Sequence, residues 1–540
     1  MRLFASSSLL SLRNLAAACT IFAACSINIA RAAEPAGSRP PLALGIIVEG
    51  LNDDILATVE PMLGEGGFKR LMSRGAHISD LYFGPGIDPV AATAMLLSGA
   101  SPMVNGIPAA HIYSPETKLT SAVLYDPKSM GNFTDETISP TALKVSTLAD
   151  ELRIETDGNG TVFAIGIDPQ QTVLSAGHAS NGAFWLYDHN GKWATSTYFK
   201  ELPSAVNTRN YRTPLSSRID TMKWTPLRAP EAYTLLSQAE RSKPFSISFP
   251  AKRADRYTSF KTSPLANTEV TDLAIELIGE YKMGRDNATD LLQLGYNLSR
   301  PGVSRYELID MYLRLDRDLA RLFEAADRNA GHGNTIVFLA GTPAPASYSP
   351  DASKWRIPTG EFSVRKAKSL VEMYLMANHG NGDWLTGYHD RQFYLNRKLI
   401  TDRNLNVAQV RTEVADLLAR MSGVCNVYTI DDIIATRAGD DPQGLKRNTS
   451  IEHCGDVFVE INPGWVLTDE DGTRLTSKPI AERRMAPSVS AFILAPNVAP
   501  QKIETTVDAR ALAPAVARQL RVRTPNGASI GTLRLKPALR

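Results

Sequence analysis

The sequence predicts an α/β fold: a doubly wound, mostly parallel sheet with a smaller α+β insertion. Three observations predict it. "LALGIIVEGL", "TVFAIGID" and "TIVFLAGTPAPAS" each contain a short, near-continuous apolar run, the mark of a strand buried on both faces. Between these runs lie segments with helical spacing, and strands alternating with helices indicate parallel pairing. From about Tyr348 the pattern changes to a compact mixture of strands and helix. The expected organisation is a core over 42–347, an insertion over 348–453, and returning core strands with a closing helix over 454–540.

The chain begins with residues 1–32, where Arg2 and Arg13 precede an apolar run and Ala30-Arg31-Ala32 makes a small-x-small site. This reads as a signal peptide cut between Ala32 and Ala33, followed by a Pro-rich linker over 33–41. Neither Cys19 nor Cys25 has Leu three positions before it, so a plain export signal is favoured over a lipoprotein signal. No later run reaches the roughly 18 apolar residues of a membrane span. A periplasmic or secreted protein is therefore expected. Removing 1–32 takes away Arg2, Arg13 and Arg31 and no acid, so the formal charge changes from +2 to −1. That balance gives no argument for a nucleic-acid partner. Two cysteines remain, Cys425 and Cys454, and an oxidising compartment allows a disulfide between them.

"LALGIIVEGL" brings Glu49 to its carboxyl end. "DPVAATAMLLSGASP" reads as a helix with Asp88 as N-cap, Pro89 at the first position and Gly99 just past the end. "KVSTLADELRIE" and "TEVTDLAIELIGEYKMG" have helical spacing, and "ATDLLQLGYN" holds a candidate strand. "SRYELIDMYLRLDRDLARLFEAADRNA" is a long helix that leads into "TIVFLAGTPAPAS". "AKSLVEMYLMANHGNGDWLTGYHDRQFYLNRKLI", "NVAQVRTEVADLLARM" and "VCNVYTIDDI" suggest two strands, a helix and a strand. "DVFVEINPGWVL" and "VSAFILAP" read as strands returning to the core, and "ALAPAVARQL" as the closing helix.

Four blocks, "LLSGASPMVNGI", "SAGHASNGAFWLYDHNGKWATSTYF", "YLRLDRDLARLF" and "GDVFVEINPGW", resemble the alkaline phosphatase superfamily. The similarity is to its secreted Thr-nucleophile branch of phosphomonoesterases and phosphodiesterases, of the type I phosphodiesterase/nucleotide pyrophosphatase kind, and runs from about residue 42 to about 535. The resemblance implies an alkaline phosphatase-like fold, two zinc ions at the carboxyl ends of the strands, and a Thr at a helix N-terminus that attacks phosphorus. Paired metals would clamp the attacking and leaving oxygens and lower the pKa of the hydroxyl.

The residues depart from that pattern. The first acidic ligand falls on Glu49, a carboxylate one methylene longer. The nucleophile falls on Pro89, which has no hydroxyl. The family's His and Asn in the next element fall on Asn105 and Ala110, and its Lys-x-Arg pair on Asp168 and Gln170. Leu291 to Tyr306, where an Asp and a His are expected, contains no Asp, Glu or His. The Asp-His pair closing "TIVFLAGT" falls on Thr342 and Pro343, and the last His near Pro479. The resemblance thus implies a degenerate site, with no cofactor expected where the family has two zinc ions.

Other polar residues offer replacement sites. Glu49, Asp53, Asp54 and Asp88 together could hold a hard cation, although Asp53 and Asp54 read better as a helix start and Asp88 as a cap. Thr93 and Ser98 read as packing rather than nucleophiles, and His178 and His189 as framework. His379, His389 and Asp390 cluster in sequence, but ten residues between the two His is no short metal spacing. The expectation is a pseudoenzyme that binds an unidentified protein or small ligand. The alternative is an active phosphate- or sulfate-ester hydrolase with a rebuilt metal site that includes Glu49.

Overall fold

The computed structural model describes residues 39–343, 360–437, 441, 444–462, 465–468 and 488–538. The signal-peptide residues and Pro479 lie outside them. The chain divides into Met1–Pro40 and Pro41–Arg540, and the strands and helices of the described residues belong to the second unit.

The strands are β1 (Leu42–Glu49), β2 (Ala76–Ile78), β3 (Gly131–Asn132), β4 (Val162–Gly166), β5 (Gly182–Leu186), β6 (Trp193–Ser196), β7 (Asp290–Asn297), β8 (Thr335–Thr342), β9 (Leu385–His389), β10 (Gln392–Leu395), β11 (Val424–Thr429), β12 (Val457–Ile461), β13 (Ala491–Leu494) and β14 (Gln501–Ile503). The helices that position the site and its surroundings are α1 (Pro89–Ser98), α2 (Leu148–Glu155), α3 (Pro169–Ala176), α4 (Pro264–Glu280), α5 (Arg305–Ala330), α6 (Val364–His379), α7 (Val407–Leu418) and α8 (Leu512–Leu520).

A ten-stranded sheet runs β14-β2-β13-β8-β1-β7-β4-β5-β6-β3. Its centre is parallel: β8, β1, β7, β4 and β5 pair in that sense. β13 is antiparallel to β8 and β2, and β6 to β5 and β3. In β1 every residue but Glu49 is buried. Leu42, Leu44, Ile46 and Val48 enter the core shared with α4 and α5, whereas Ala43 and Ile47 enter the core shared with α1, α2 and α8. Helices therefore cover both faces, which is why the strand is apolar at both parities.

Helix α1 starts as its sequence dictates. The Asp88 side chain accepts from Ala91 N, Pro89 takes the first turn where no donor is needed, and Gly99 closes the helix at φ 67. A Cβ at Gly99 would also lie 3.2 Å from the Arg510 carbonyl oxygen.

A second, four-stranded sheet has the order β9-β10-β12-β11. It packs its own core, including Trp384, Phe393, Val414 and Val457, against α6 and α7. Two expectations are corrected by this arrangement. The first part of "AKSLVEMYLMANHGNGDW" is helix α6, not strand, with Val364, Ala367, Val371 and Leu375 buried along one side. The segment "DVFVEINPGWVL" does not return to the core: β12 joins β10 and β11, and Trp465–Thr468 pairs with Gly360–Ser363.

The expected disulfide is also absent. Cys425 Sγ donates to the Glu460 carbonyl and Cys454 Sγ to that of Ile451. Cys425 lies at one end of the β11–β12 ladder, and Cys454 lies beyond the Thr429–Val457 pair at the other. At about 3.3 Å per residue the three steps from Glu460 to Val457 alone span about 10 Å, already outside disulfide reach. Cys425 is exposed and Cys454 buried, and burial pushes the Cys454 thiol up to about 11. A chain starting at Ala33 should therefore consume one equivalent of a thiol reagent when folded at pH 8 and a second only in denaturant. Two equivalents in the folded state would contradict this placement.

Candidate functional site

The carboxyl end of β1 sets Glu49 between Asn297 of β7 and Thr342 of β8. Helices α1 and α3 point their N-termini toward the same region, capped by Asp88 and Asp168. The Glu49 carboxylate accepts from Gln171 Nε2 at 3.0 Å, and Gln171 Oε1 accepts from Thr93 Oγ1 at 3.3 Å. Thr93 makes its shorter bond, 2.8 Å, back to the Pro89 carbonyl. A side-chain amide thus links β1 to the second turn of α1. Sequence reasoning missed Gln171, because nothing local shows that it lies opposite a residue 122 positions away.

The acids at this site are half-buried. Burial raises the Glu49 carboxyl to about 7; the charges of Asp168 and Asp88 add to the rise, and the Gln171 amide opposes it. Burial also raises Asp168, against the backbone N–H of Gln171 and the charge of Lys261, and raises Asp88 against the N–H groups of Ala91 and Ala110. Lys261, paired with Asp188, is a cation that the sequence pattern did not place. The space bounded by Glu49, Asp168, Gln171, Thr172, Tyr296 and Asn297 is ≈ 20 Å³, room for about one water molecule.

The other positions divide into those brought together and those left apart. Ala110 donates its N–H to Asp88 Oδ2 at 2.5 Å and accepts from Gln170 Nε2 at 2.9 Å, so Asp88, Ala110 and Gln170 meet. Thr342 is fully buried beside Glu49, and its hydroxyl has no hydrogen-bond partner among the described residues. Pro343 follows it. Asn105 turns away, bonding the Ala100 carbonyl and the Ile107 N–H. Asp53 does not join Glu49; it starts a helix and holds His77 Nε2 at 2.8 Å and Ser490 Oγ at 2.6 Å. Ser98 bonds the Ala94 carbonyl. His178 is held between Asp150 Oδ2 and the Leu143 carbonyl, and His189 contacts the Tyr187 hydroxyl. His379, at the end of α6, binds Glu413, while His389 binds the His111 carbonyl, so the sequence cluster is not a spatial one.

The chain matches the model of the type I phosphodiesterase / nucleotide pyrophosphatase family over residues 43–485. The chain belongs to this family. Among family relatives it is 29% identical to alkaline phosphatase PafA of Elizabethkingia meningoseptica over 421 residues, 73% of this chain and 76% of that protein. It is 26% identical to alkaline phosphatase PhoV of Synechococcus elongatus over 521 residues, 92% of each. A crystal structure of a four-substitution PafA mutant superimposes with a TM-score of 0.78 at 25% identity, covering 92% of this chain and 99% of that one. The alkaline phosphatase-like α/β fold expected from sequence is thereby shown.

Family membership also corrects one expectation. The sequence pattern led to an expectation of no cofactor, but the chain belongs to a hydrolase family and its relatives are alkaline phosphatases, the class for which the resemblance implies zinc. Nothing supports a cofactor-free protein. The described donors, however, do not fit a family-type zinc pair. No group of three or more His, Cys, Asp or Glu among the described residues is placed to hold a metal ion. No helix there is long and apolar enough to cross a membrane.

Proposed function

We propose that this protein is an exported member of the family that has lost Thr-nucleophile phosphoryl transfer and acts by binding a ligand or partner in the cell envelope. One observation carries the reading. At the N-terminus of α1, where the resemblance implies the attacking hydroxyl, stands Pro89, and the Asp88 carboxylate takes the N–H groups of Ala91 and Ala110. Free N–H groups at a helix N-terminus favour anions; in this chain the Asp88 carboxylate already holds that of Ala91. Asp168 and Glu49 add two more acids where a phosphate ester would have to approach.

The test is turnover of p-nitrophenyl phosphate and bis(p-nitrophenyl) phosphate by zinc-equilibrated protein, wild type and Pro89→Thr. Neither is expected to exceed the uncatalysed rate. Restoring the hydroxyl alone leaves Asp88, Asp168 and Gln171 in place, and like charges repel the dianion. Zinc-dependent turnover by the wild type, abolished in Glu49→Ala, would overturn the reading. It would establish instead a hydrolase with a rebuilt site that includes Glu49. One observation favours that second reading: a half-buried acid shifted to about 7 in a cleft is the kind of group that concentrates at working sites.

A further inference from the structure

The turn that joins α6 to β9 begins Gly380-Asn381-Gly382, and Asn381 is exposed. We infer that Asn381 is a self-modification site, where the chain converts its own asparagine to aspartate and isoaspartate with the help of Arg403. The inference is independent of what the protein binds or hydrolyses.

An Asn-Gly pair is prone to this reaction because glycine has no side chain to cover its backbone nitrogen. The sequence holds six such pairs, and the structure sets one apart. Asn105 is fully buried, and its amide is bound at both ends, to the Ala100 carbonyl and the Ile107 N–H. Asn181 Oδ1 accepts from Val162 N at 2.8 Å and its Nδ2 donates to Glu201. Asn190 Oδ1 accepts from Lys192 N, and the Gly191 N–H donates to the Tyr187 carbonyl at 3.0 Å. Asn526 Oδ1 accepts from Ser146 N at 2.9 Å. Asn159 is exposed, but the Gly160 N–H that would have to react is buried and donates to Thr156 Oγ1 at 3.2 Å. In each of these five a hydrogen bond holds the side-chain amide or the following N–H. At Asn381 neither is held: the side-chain amide and the Gly382 N–H make no hydrogen bond among the described residues.

The step balances without a cofactor. The Gly382 nitrogen gives up its proton and attacks Asn381 Cγ; the new N–C bond closes a five-membered imide, the Cγ–NH2 bond breaks, and ammonia leaves with a proton. Water then opens the ring. Cleavage at Cγ gives aspartate, and cleavage at the main-chain carbonyl gives isoaspartate.

Arg403 bears on the first of these events. The charge left on the Gly382 nitrogen spreads across the peptide bond onto the Asn381 carbonyl oxygen. Arg403, which closes the helix Arg397–Asp402, donates from Nη2 to that oxygen and from Nη1 to the His379 carbonyl. Its guanidinium stands 5.1 Å from the centre of the Trp384 ring. No acid pairs with it among the described residues, so its charge is not neutralised. A cation already fixed on the atom where negative charge develops lowers the barrier to that charge. The carboxylate that forms stays beside Arg403, and isoaspartate adds a backbone methylene to the turn between α6 and the four-stranded sheet.

The experiment is incubation of the folded protein at pH 8, followed by peptide mapping by mass spectrometry with enzymatic labelling of isoaspartate, on wild type, Arg403→Met and Asn381→Gln. In the folded wild type, residue 381 should convert faster than each of the other five Asn-Gly pairs. Arg403→Met, with its thermal midpoint kept, should slow that conversion by about threefold or more, because the exposed turn gives a weaker version of a buried donor's effect. Asn381→Gln should remove the labelled product from this peptide. Urea-unfolded wild type supplies a measure that needs no variant: residue 381 should convert more slowly there than in the folded protein. Faster conversion at another pair in the folded state, an unchanged rate in folded Arg403→Met, or faster conversion of residue 381 in urea would overturn the inference.

Discussion

Glu49→Gln is expected to stabilise the folded protein by about 3 kcal/mol at pH 8 and by almost nothing at pH 4. The Glu49 carboxyl moves from 4.5 to about 7 on folding, so the folded state holds this proton after the unfolded chain has released it. Folding stability therefore falls as the pH rises from about 4.5 to about 7 and stays reduced above that range. At 1.36 kcal/mol per pH unit the full loss is about 3 kcal/mol. Glutamine is neutral at every pH and keeps an oxygen to accept from Gln171 Nε2, so it removes the cost and retains the contact. Urea unfolding of both proteins at pH 4 and pH 8 checks this. If Glu49→Gln is instead the less stable protein at pH 8 after zinc equilibration, the carboxylate has a cationic partner and the hydrolase reading gains.

The second large effect is expected from Asp310→Ala. Asp310 is fully buried on α5 and accepts from Trp224 Nε1 (2.6 Å), Leu227 N (2.7 Å), the Tyr233 hydroxyl (2.5 Å) and Arg314 Nε (2.7 Å). It therefore ties α5 to the segment that covers the sheet. Removing it leaves the largely buried Arg314 guanidinium with only the Thr225 carbonyl (2.6 Å), Leu227 N with only the Tyr233 hydroxyl (3.0 Å), and the Trp224 and Tyr233 donors without an acceptor, at a cost of about 3–5 kcal/mol. Asp310→Asn, which keeps the shape and part of the accepting capacity, should lose less. A loss below about 1 kcal/mol in Asp310→Ala, by the same urea measurement, would show that water replaces the carboxylate.

The elements that read correctly from sequence are those whose signal is local. β1 and β8 declare themselves because both parities are apolar, and α1 because Asp88, Pro89 and Gly99 mark its ends within a dozen residues. The same locality places Pro89 at the first position of α1. β12 is misread although its pattern differs from a core strand: Val457 and Val459 are buried, while Phe458 and Glu460 are half-buried, the alternation of a sheet packed mainly on one face. In α6 the buried positions recur at steps of three and four, a helical period obscured by the aromatic and glycine residues after it. The link from Gln171 to Glu49, the neighbourhood of Lys261 and Asp168, and the separation of Cys425 from Cys454 depend on how distant elements register against one another. No short window of residues contains that information.

The two ends of the large sheet bear on how the protein behaves at high concentration. The strands at its edges, β3 and β14, are two and three residues long, and Lys502 stands in the middle of β14 with its side chain about half exposed. An edge this short, with a charge on it, offers almost no ladder of open N–H and C=O groups for another chain to extend. Despite its ten strands, the sheet should therefore resist edge-to-edge aggregation, and concentrated samples are expected to stay dispersed.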